Sequence, residues 1–257
     1  MAFIELNFYS EALGMQTQVN VILPQKSSAG EIGGSSASIN AQEYKCLYLL
    51  HGLSDDHTIW MRRTSIERYA SEYGICVVMP CGGRSFYCDI KNGMAYYTFI
   101  AKELPMRIQE FFRISGKRED TYIAGLSMGG YGAMKIALRN PESYCACAAL
   151  SPVCDLDTMA GRGYDSLMFS IFGEYKTPDE DSVMFLTEKQ KDNPNKPRIY
   201  MAMGTDDFLY ENAKPLRKRF ADYNYDFTYI EEEHANHSWA FWDAQIQNVL
   251  KWMFNKG

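Results

Sequence analysis

The chain has 257 residues, of which 46% are hydrophobic and 23% are charged, and its formal net charge is −6. This composition is typical of a folded, enzyme-sized protein and excludes collagenous, fibrous and disordered chains. The acidic balance argues against nucleic acid and anionic membranes as main partners, because both recruit clustered Lys and Arg to their phosphates. We expect a single domain that spans residues 1–257.

The chain shows no pattern of an exported or membrane-spanning protein. The segment Met1–Ser10 has no basic start and places Glu5 where a signal peptide would be apolar. No uncharged apolar run reaches about 18 residues, the minimum for a transmembrane helix. We therefore expect a cytoplasmic protein. Its seven cysteines have no CxxC pair and no histidine at zinc-ligand spacing, which favours reduced, buried thiols and no bound metal.

The N-terminal part is predicted to be β structure. Residues Phe3–Ser10 and Gln16–Leu23 alternate apolar with polar side chains, which is typical of a half-exposed antiparallel pair. The Gly- and Ser-rich segment Lys26–Asn40 follows, and its composition predicts a surface loop.

From Lys45 onward, short continuous apolar runs alternate with helical patterns. Unbroken apolar runs are expected of strands that are buried on both faces of a parallel sheet. The predicted strands are Cys46–Leu50, Ile75–Met79, Thr121–Gly125, Cys145–Leu150, Arg198–Met203 and Phe227–Ile230. The predicted helices are Ile66–Tyr73, Ala101–Arg113, Gly129–Arg139, Pro215–Tyr223 and Trp239–Phe254. This alternation predicts an α/β fold with a mostly parallel central sheet and helices on both faces.

One long segment, Cys154–Pro197, interrupts the alternation. It combines glycines with apolar side chains and is too apolar for a disordered linker. We predict a small cap insertion, about residues 154–197, that folds over the carboxyl edge of the sheet, where ligands bind in such folds.

The pattern GxSxG occurs at Gly125-Leu126-Ser127-Met128-Gly129. The pattern alone is weak support for an enzyme, but here it follows a predicted buried strand and precedes a predicted helix, as a nucleophile elbow requires. Ser127 is therefore the candidate nucleophile, and the free N–H groups at the helix start would favour a developing oxyanion. The alternative is a glycine-rich turn with a solvent-facing serine.

A serine nucleophile needs a base, and the chain has four histidines, His51, His57, His234 and His237. In α/β hydrolases the acid and then the histidine follow the serine along the chain, which disfavours His51 and His57. His237 lies after the last predicted strand and before the last helix, so it is the preferred base. His234, in the same loop, is the second choice, and His237 as an ordinary surface residue is a further alternative.

Two adjacent carboxylates, Asp206 and Asp207, follow the predicted strand Arg198–Met203 at the place where the acid is expected. The acid would fix the tautomer of His237 and stabilise its imidazolium. We prefer Asp207, although spacing separates the two residues poorly. Asp206 could instead cap the next helix.

The oxyanion hole is assigned to the backbone N–H groups of Leu53 and Met128. Leu53 follows Gly52 in the loop after the first central strand, where a glycine lets backbone N–H groups approach a tetrahedral oxygen. Met128 directly follows the serine. We expect His51 to orient this loop rather than to transfer a proton.

Five aromatic residues lie near these segments: Trp60, Phe86, Tyr87, Tyr96 and Tyr97. They could line an acyl pocket, but aromatic residues at such spacings are more often part of the core. We therefore interpret them as core residues and do not assign them to the site.

Six segments together carry a family likeness. They are YLLHGLSDDHTIW (Tyr48–Trp60), GRSFY (Gly83–Tyr87), KELP (Lys102–Pro105), IAGLSMGGYGAMK (Ile123–Lys135), GTDDFLYE (Gly204–Glu211) and NHSWAFW (Asn236–Trp242). In this order they resemble bacterial tributyrin esterases, which belong to the esterase D, S-formylglutathione hydrolase-like group of α/β hydrolases. The resemblance implies the α/β-hydrolase fold, with Ser127 as nucleophile, Asp207 as acid and His237 as base, and so favours Asp207 over Asp206.

The same resemblance implies a cofactor-free serine carboxylesterase that hydrolyses short-chain acyl esters, such as acetyl or butyryl esters, through a covalent acyl-enzyme. S-formylglutathione hydrolases are an alternative, but their elbow usually has His where this chain has Leu126. Acetylxylan and feruloyl esterases share the architecture and are also alternatives.

A non-catalytic binding protein of this fold is disfavoured, because Ser, Asp and His occur in the required order. A peptidase of the same fold is a second alternative, which would cleave an amide at a rate near that for the matching ester. The expected partner is a small-molecule ester. The group tends to assemble and the chain is rich in Tyr, so a homo-oligomer is compatible with the sequence.

Overall fold

The computed structural model describes residues 1–25, 42–159 and 161–254, and the predicted loop Lys26–Asn40 lies outside them. The described residues form a sheet of eight strands in the spatial order β1-β2-β4-β3-β5-β6-β7-β8. The strands are β1 (Ala2–Ser10), β2 (Met15–Leu23), β3 (Cys46–Leu50), β4 (Cys76–Pro80), β5 (Thr121–Leu126), β6 (Ala146–Leu150), β7 (Arg198–Gly204) and β8 (Phe227–Glu232). The helices are α1 (Ile59–Arg63), α2 (Ile66–Tyr73), α3 (Tyr96–Thr98), α4 (Leu104–Phe111), α5 (Met128–Arg139), α6 (Asp165–Phe172), α7 (Val183–Lys189), α8 (Tyr210–Asp222) and α9 (Trp239–Phe254).

The pairing of the strands explains the two kinds of sequence pattern. Strand β1 pairs antiparallel with β2, which pairs antiparallel with β4, whereas β3 to β8 join through parallel pairs. Every residue of β3, β4, β5 and β6 is buried, so these strands need apolar side chains on both faces. Strand β1 is an edge strand with alternating burial and keeps the alternating pattern. The predicted mostly parallel sheet is confirmed.

Helices cover both faces of the sheet, as predicted. On one face, α4, α5, α6, α7 and α8 contribute buried apolar side chains to the larger core. On the other face, α1, α2 and α9 form a second core with the opposite sides of the same strands. No helix in the described ranges is long and apolar enough to cross a membrane.

The predicted helix Ala101–Arg113 differs from the observed one. It begins earlier, with α3, and passes through the π-helical turn Phe99–Glu103 into α4. Pro105 has no N–H to donate, and the N–H of Leu104 bonds to the carbonyl of Phe99 five residues earlier, so the turn widens where the regular ladder is broken.

The π-helical turn gives Glu103 a structural role. Its buried carboxylate accepts hydrogen bonds from Ser10 Oγ (2.6 Å) and from the backbone N–H groups of Glu11 (2.8 Å) and Ala12 (3.1 Å). The turn between β1 and β2 is thereby fixed to the helix that follows β4.

The segment predicted as a cap, residues 154–197, carries α6 and α7 between β6 and β7. Helix α7 packs against α5 and α8. The helix predicted at Pro215–Tyr223 begins five residues earlier, at Tyr210, and contains Pro215. The assignment of one domain with a cap insertion stays a prediction.

Candidate active site

Ser127 lies at a sharp turn between β5 and α5. Its φ is 52°, in the left-handed region that a residue with a side chain rarely adopts. A Cβ atom on Gly129 would lie 2.5 Å from the carbonyl oxygen of Leu50, and one on Gly125 would overlap the carbonyl of Gly129. Only glycine at both positions allows the strand and the helix to approach this closely. The structure thus has the elbow that the GxSxG pattern predicted.

Ser127, His237 and Asp207 form a continuous hydrogen-bonded chain. The Nε2 atom of His237 lies 3.0 Å from Ser127 Oγ, and its Nδ1 atom lies 2.8 Å from Asp207 Oδ2. The side chain of Asp207 is fully buried, and its other oxygen accepts the N–H of Leu209 at 2.8 Å. Because the carboxylate can only accept, Nδ1 carries the proton and Nε2 is free to accept from the serine.

The competing candidates, Asp206 and His234, lie outside this chain. Their side chains are 57% and 81% exposed, and Asp206 Oδ2 is 3.7 Å from His234 Nδ1. The loop after β7 turns between the two aspartates, so that Asp207 points inward and Asp206 points to solvent. Spacing alone could not have shown which of the two faces the serine.

Aromatic rings fix the orientation of the His237 imidazole. The ring of Phe208 lies 4.7 Å away, and that of Trp242 lies 4.8 Å away at an interplanar angle of 89°. Trp242 is itself fixed, since its Nε1 donates to Ser151 Oγ at 3.1 Å. The imidazole therefore has little freedom to leave the line between Ser127 and Asp207.

Leu53 and Met128 both line the cavity that contains Ser127. Among the residues that the structure describes, no group accepts a hydrogen bond from the backbone N–H of Leu53 or of Met128. A Cβ atom on Gly52 would lie 2.8 Å from Leu126 Cδ1, so glycine lets this loop lie against the elbow without a shift of the Leu126 side chain. Both N–H groups therefore have no acceptor within the described residues, and their role as oxyanion donors stays a prediction.

His51 is a buried linker between two loops. Its Nε2 accepts the N–H of Gly82 at 2.8 Å, so its Nδ1 is the donor to the carbonyl of Gly52 at 2.7 Å. Tyr87 Oη donates to the carbonyl of His51 at 2.9 Å. Burial lowers the pKa of His51 to about 4, against the smaller opposing effect of the Gly52 carbonyl. His51 therefore holds the loop as a neutral ring, which agrees with the expected orienting role.

The site opens into a cavity of about 780 Å³. Besides the predicted residues, its lining includes Asp55, Arg84, Phe86, Met159 and Tyr164. The core interpretation of the aromatic residues describes Trp60, Tyr87 and Tyr97, which are buried, but it missed that Phe86 also lines the cavity. A signal was available, because the GRSFY segment directly follows a central strand and so lies at the carboxyl edge of the sheet. The described residues contain no cluster of three or more His, Cys, Asp or Glu suited to a metal ion.

The neutral state of His51 makes a prediction about stability and pH. Between pH 4 and 6.5 the unfolded chain binds a proton at His51 that the folded chain does not, so stability falls as the pH falls. From pH 7 to pH 5 this group alone should cost about 2 kcal/mol. The free energy of unfolding can be measured in urea at pH 7 and at pH 5. Its decrease between the two pH values should be smaller in His51→Gln than in wild type, by this amount. His234→Gln, at an exposed histidine, is the control, and its free energy of unfolding should decrease as much as that of wild type. A decrease in His51→Gln equal to that of wild type would contradict this account of His51.

Comparison with known proteins agrees with this geometry. Residues 10–253 match the protein family described as "Putative esterase". An acetyl esterase from Caldicellulosiruptor saccharolyticus is 31% identical over an alignment of 265 positions, gaps included, which covers 98% of each chain. A ferulic acid esterase structure, at 21% identity and a TM-score of 0.81, supports the fold alone.

Two solved structures from Staphylococcus aureus are similar over almost the whole length. The fluorophosphonate-binding serine hydrolase FphF is 33% identical with a TM-score of 0.87, and each chain is covered to 99%. The S-formylglutathione hydrolase FrmB is 32% identical with a TM-score of 0.85, again with 99% of each chain covered. The chain therefore belongs to this esterase family, within the S-formylglutathione hydrolase-like group that the sequence resembled, and it is a serine ester hydrolase of the α/β-hydrolase fold.

Proposed function

We propose that this carboxylesterase hydrolyses short-chain acyl esters with Ser127 as nucleophile, His237 as general base and acid, and Asp207 as the residue that orients His237. The observation that carries the proposal is the chain from Ser127 Oγ to His237 Nε2 (3.0 Å) and from His237 Nδ1 to the buried Asp207 (2.8 Å). The chain ends in a cavity large enough for a small ester.

In the first half-reaction Ser127 Oγ attacks the ester carbonyl while His237 Nε2 takes its proton. The imidazolium that forms is stabilised by the Asp207 carboxylate, which keeps its charge. The carbonyl oxygen becomes an oxyanion, and the N–H groups of Leu53 and Met128 donate to it. Collapse of this intermediate breaks the ester bond, and His237 gives its proton to the departing alcohol.

In the second half-reaction water attacks the acyl-enzyme. His237 takes a proton from the water, the same two N–H groups stabilise the second oxyanion, and the acid leaves as Ser127 regains its proton. No step needs a cofactor, because the protein supplies the nucleophile, the base and the oxyanion donors.

The short acyl chain is inferred from the acetyl esterase relative and from the resemblance to tributyrin esterases. Acetyl and butyryl esters are the substrates that we expect. Hydrolysis of the thioester S-formylglutathione is the second candidate, favoured by the similarity to a hydrolase of that name. A cytoplasmic location and a homo-oligomer stay predictions.

The nucleophile is tested by Ser127→Ala. Without the hydroxyl no acyl-enzyme forms, so hydrolysis of p-nitrophenyl acetate and butyrate should fall by at least about 10⁴-fold, and labelling by a fluorophosphonate should be lost. Ser71→Ala, on α2 behind the sheet, is the control and should keep wild-type rates. More than a tenth of the wild-type rate in Ser127→Ala would disprove the assignment. S-formylglutathione, assayed in parallel, distinguishes the ester from the thioester.

The acid is tested by a matched pair of neighbouring aspartates. In Asp207→Asn an amide replaces the carboxylate that accepts the proton of His237 Nδ1. The NH₂ group of the amide can donate to Nδ1 and so favour the tautomer with the proton on Nε2, which cannot accept from Ser127. The value of kcat should therefore fall by about 10⁴-fold. Asp206→Asn removes the same charge from a solvent-exposed position and should stay within about twofold of wild type, as surface substitutions usually do. A similar loss in both variants, or the larger loss in Asp206→Asn, would contradict the assignment.

A further inference from the structure

The active-site cavity contains a cationic side chain that the proposed mechanism does not use. Arg84 lines the same cavity as Ser127 and is exposed at its solvent side, whereas Phe86, two residues later, is buried within it. Within the described parts of the chain, the guanidinium of Arg84 makes no ion pair and no hydrogen bond. The half-buried Arg139, by contrast, is paired, with its Nη1 atom 3.2 Å from Asp181 Oδ1.

The carboxylate in the same cavity already has other partners. Burial raises the pKa of Asp55, while a hydrogen bond from the N–H of Gly52 and the charge of Arg63 act in the opposite direction. The side chain of Asp207 is fully buried and lies 2.8 Å from His237 Nδ1, so it is not exposed to the cavity. Among the residues that the structure describes, the cavity thus presents to a ligand a guanidinium that is paired with no carboxylate.

The backbone under Arg84 is held in one strained conformation. Gly83, Phe86 and Tyr87 all have positive φ, at 54°, 49° and 54°. Ser85 Oγ donates to the carbonyl of Gly82 at 2.7 Å and accepts the N–H of Tyr87 at 2.9 Å. Strained backbone of this kind persists only where its surroundings fix it, and it is concentrated at functional sites.

A second contact fixes the same loop from below. Lys135, a fully buried residue of the nucleophile helix α5, donates to the carbonyl of Tyr87 at 2.8 Å. The base of Arg84 is therefore fixed relative to Ser127, which lies at the start of the same helix. A fixed base lowers the entropic cost of placing the guanidinium on a ligand.

We propose that Arg84 binds a carboxylate on the leaving group of the substrate, so that the enzyme prefers esters of anionic alcohols over esters of neutral ones. This inference rests on the proposed function. A guanidinium binds a carboxylate through paired, charge-assisted hydrogen bonds. We assign the alcohol to Arg84 because this side chain is exposed to solvent and a short acyl group bound at Ser127 has few atoms with which to reach it.

The test uses two substrates with the same acyl group, 4-acetoxybenzoate and its methyl ester, which differ in the charge of the leaving group. Their chemical reactivities differ, so the quantity to compare is the change in kcat/KM between wild type and Arg84→Gln on each substrate. The loss on 4-acetoxybenzoate should exceed the loss on the methyl ester by about tenfold, and should lie mainly in KM. Arg84→Lys should recover part of it.

Arg62→Gln, on α1 outside the cavity, removes the same charge and controls for the net charge of the protein. Its losses on the two substrates should be equal. Equal losses in Arg84→Gln, or none on either substrate, would overturn the inference while leaving the esterase proposal intact. Failure of the proposed function would look different: wild type would not hydrolyse the neutral methyl ester, or Ser127→Ala would hydrolyse it equally fast.

Discussion

The close approach of β5 and α5 at Ser127 is the constraint on which the rest of the site depends. Because two glycines remove the side chains that would collide there, the serine is forced into a left-handed conformation with its hydroxyl in the cavity. The same turn leaves the N–H of Met128 at the first position of the helix, without an intrahelical partner. One local backbone geometry thus positions both the proposed nucleophile and one proposed oxyanion donor.

The other functional groups reach this point because parallel strands end at one edge of the sheet. Asp207 follows β7 and His237 follows β8, while Leu53 follows β3. Hydrogen bonds connect these loops. His51 joins the loop after β3 to the loop after β4. Lys135 of α5 bonds to the loop after β4 and also to Asp181, at 2.9 Å, in the segment before α7. A change in the conformation of the loop after β4, which carries Phe86, would therefore be transmitted to the loop after β3, which carries Leu53, through the contacts of His51.

Much of this arrangement was predictable because it is coded locally. Strands buried on both faces must be apolar throughout, so β3 to β7 were placed within about one or two residues. The GxSxG pattern needs its glycines for close packing, so the elbow was also predictable. Spacing could not predict which of Asp206 and Asp207 faces Ser127, since this depends on how the loop after β7 turns. Only the family resemblance favoured Asp207.

Features that depend on tertiary contacts were missed. The π-helical turn at Phe99–Glu103 and the positive φ of Phe86 and Tyr87 leave no clear mark in the composition. Arg84 was part of a recognised motif, but its place in the cavity follows from the conformation of that loop. Sequence patterns thus indicated the groups that we propose to react, and three-dimensional packing showed which further residues line the cavity.

The most direct test of the central claim is a crystal structure of the enzyme after reaction with a small alkyl fluorophosphonate, whose tetrahedral phosphorus imitates the acylation intermediate. The phosphorus should be bonded to Ser127 Oγ, with its phosphoryl oxygen within hydrogen-bonding distance of the N–H groups of Leu53 and Met128. A phosphorus bonded to another residue, or a phosphoryl oxygen that points away from both N–H groups, would contradict the account.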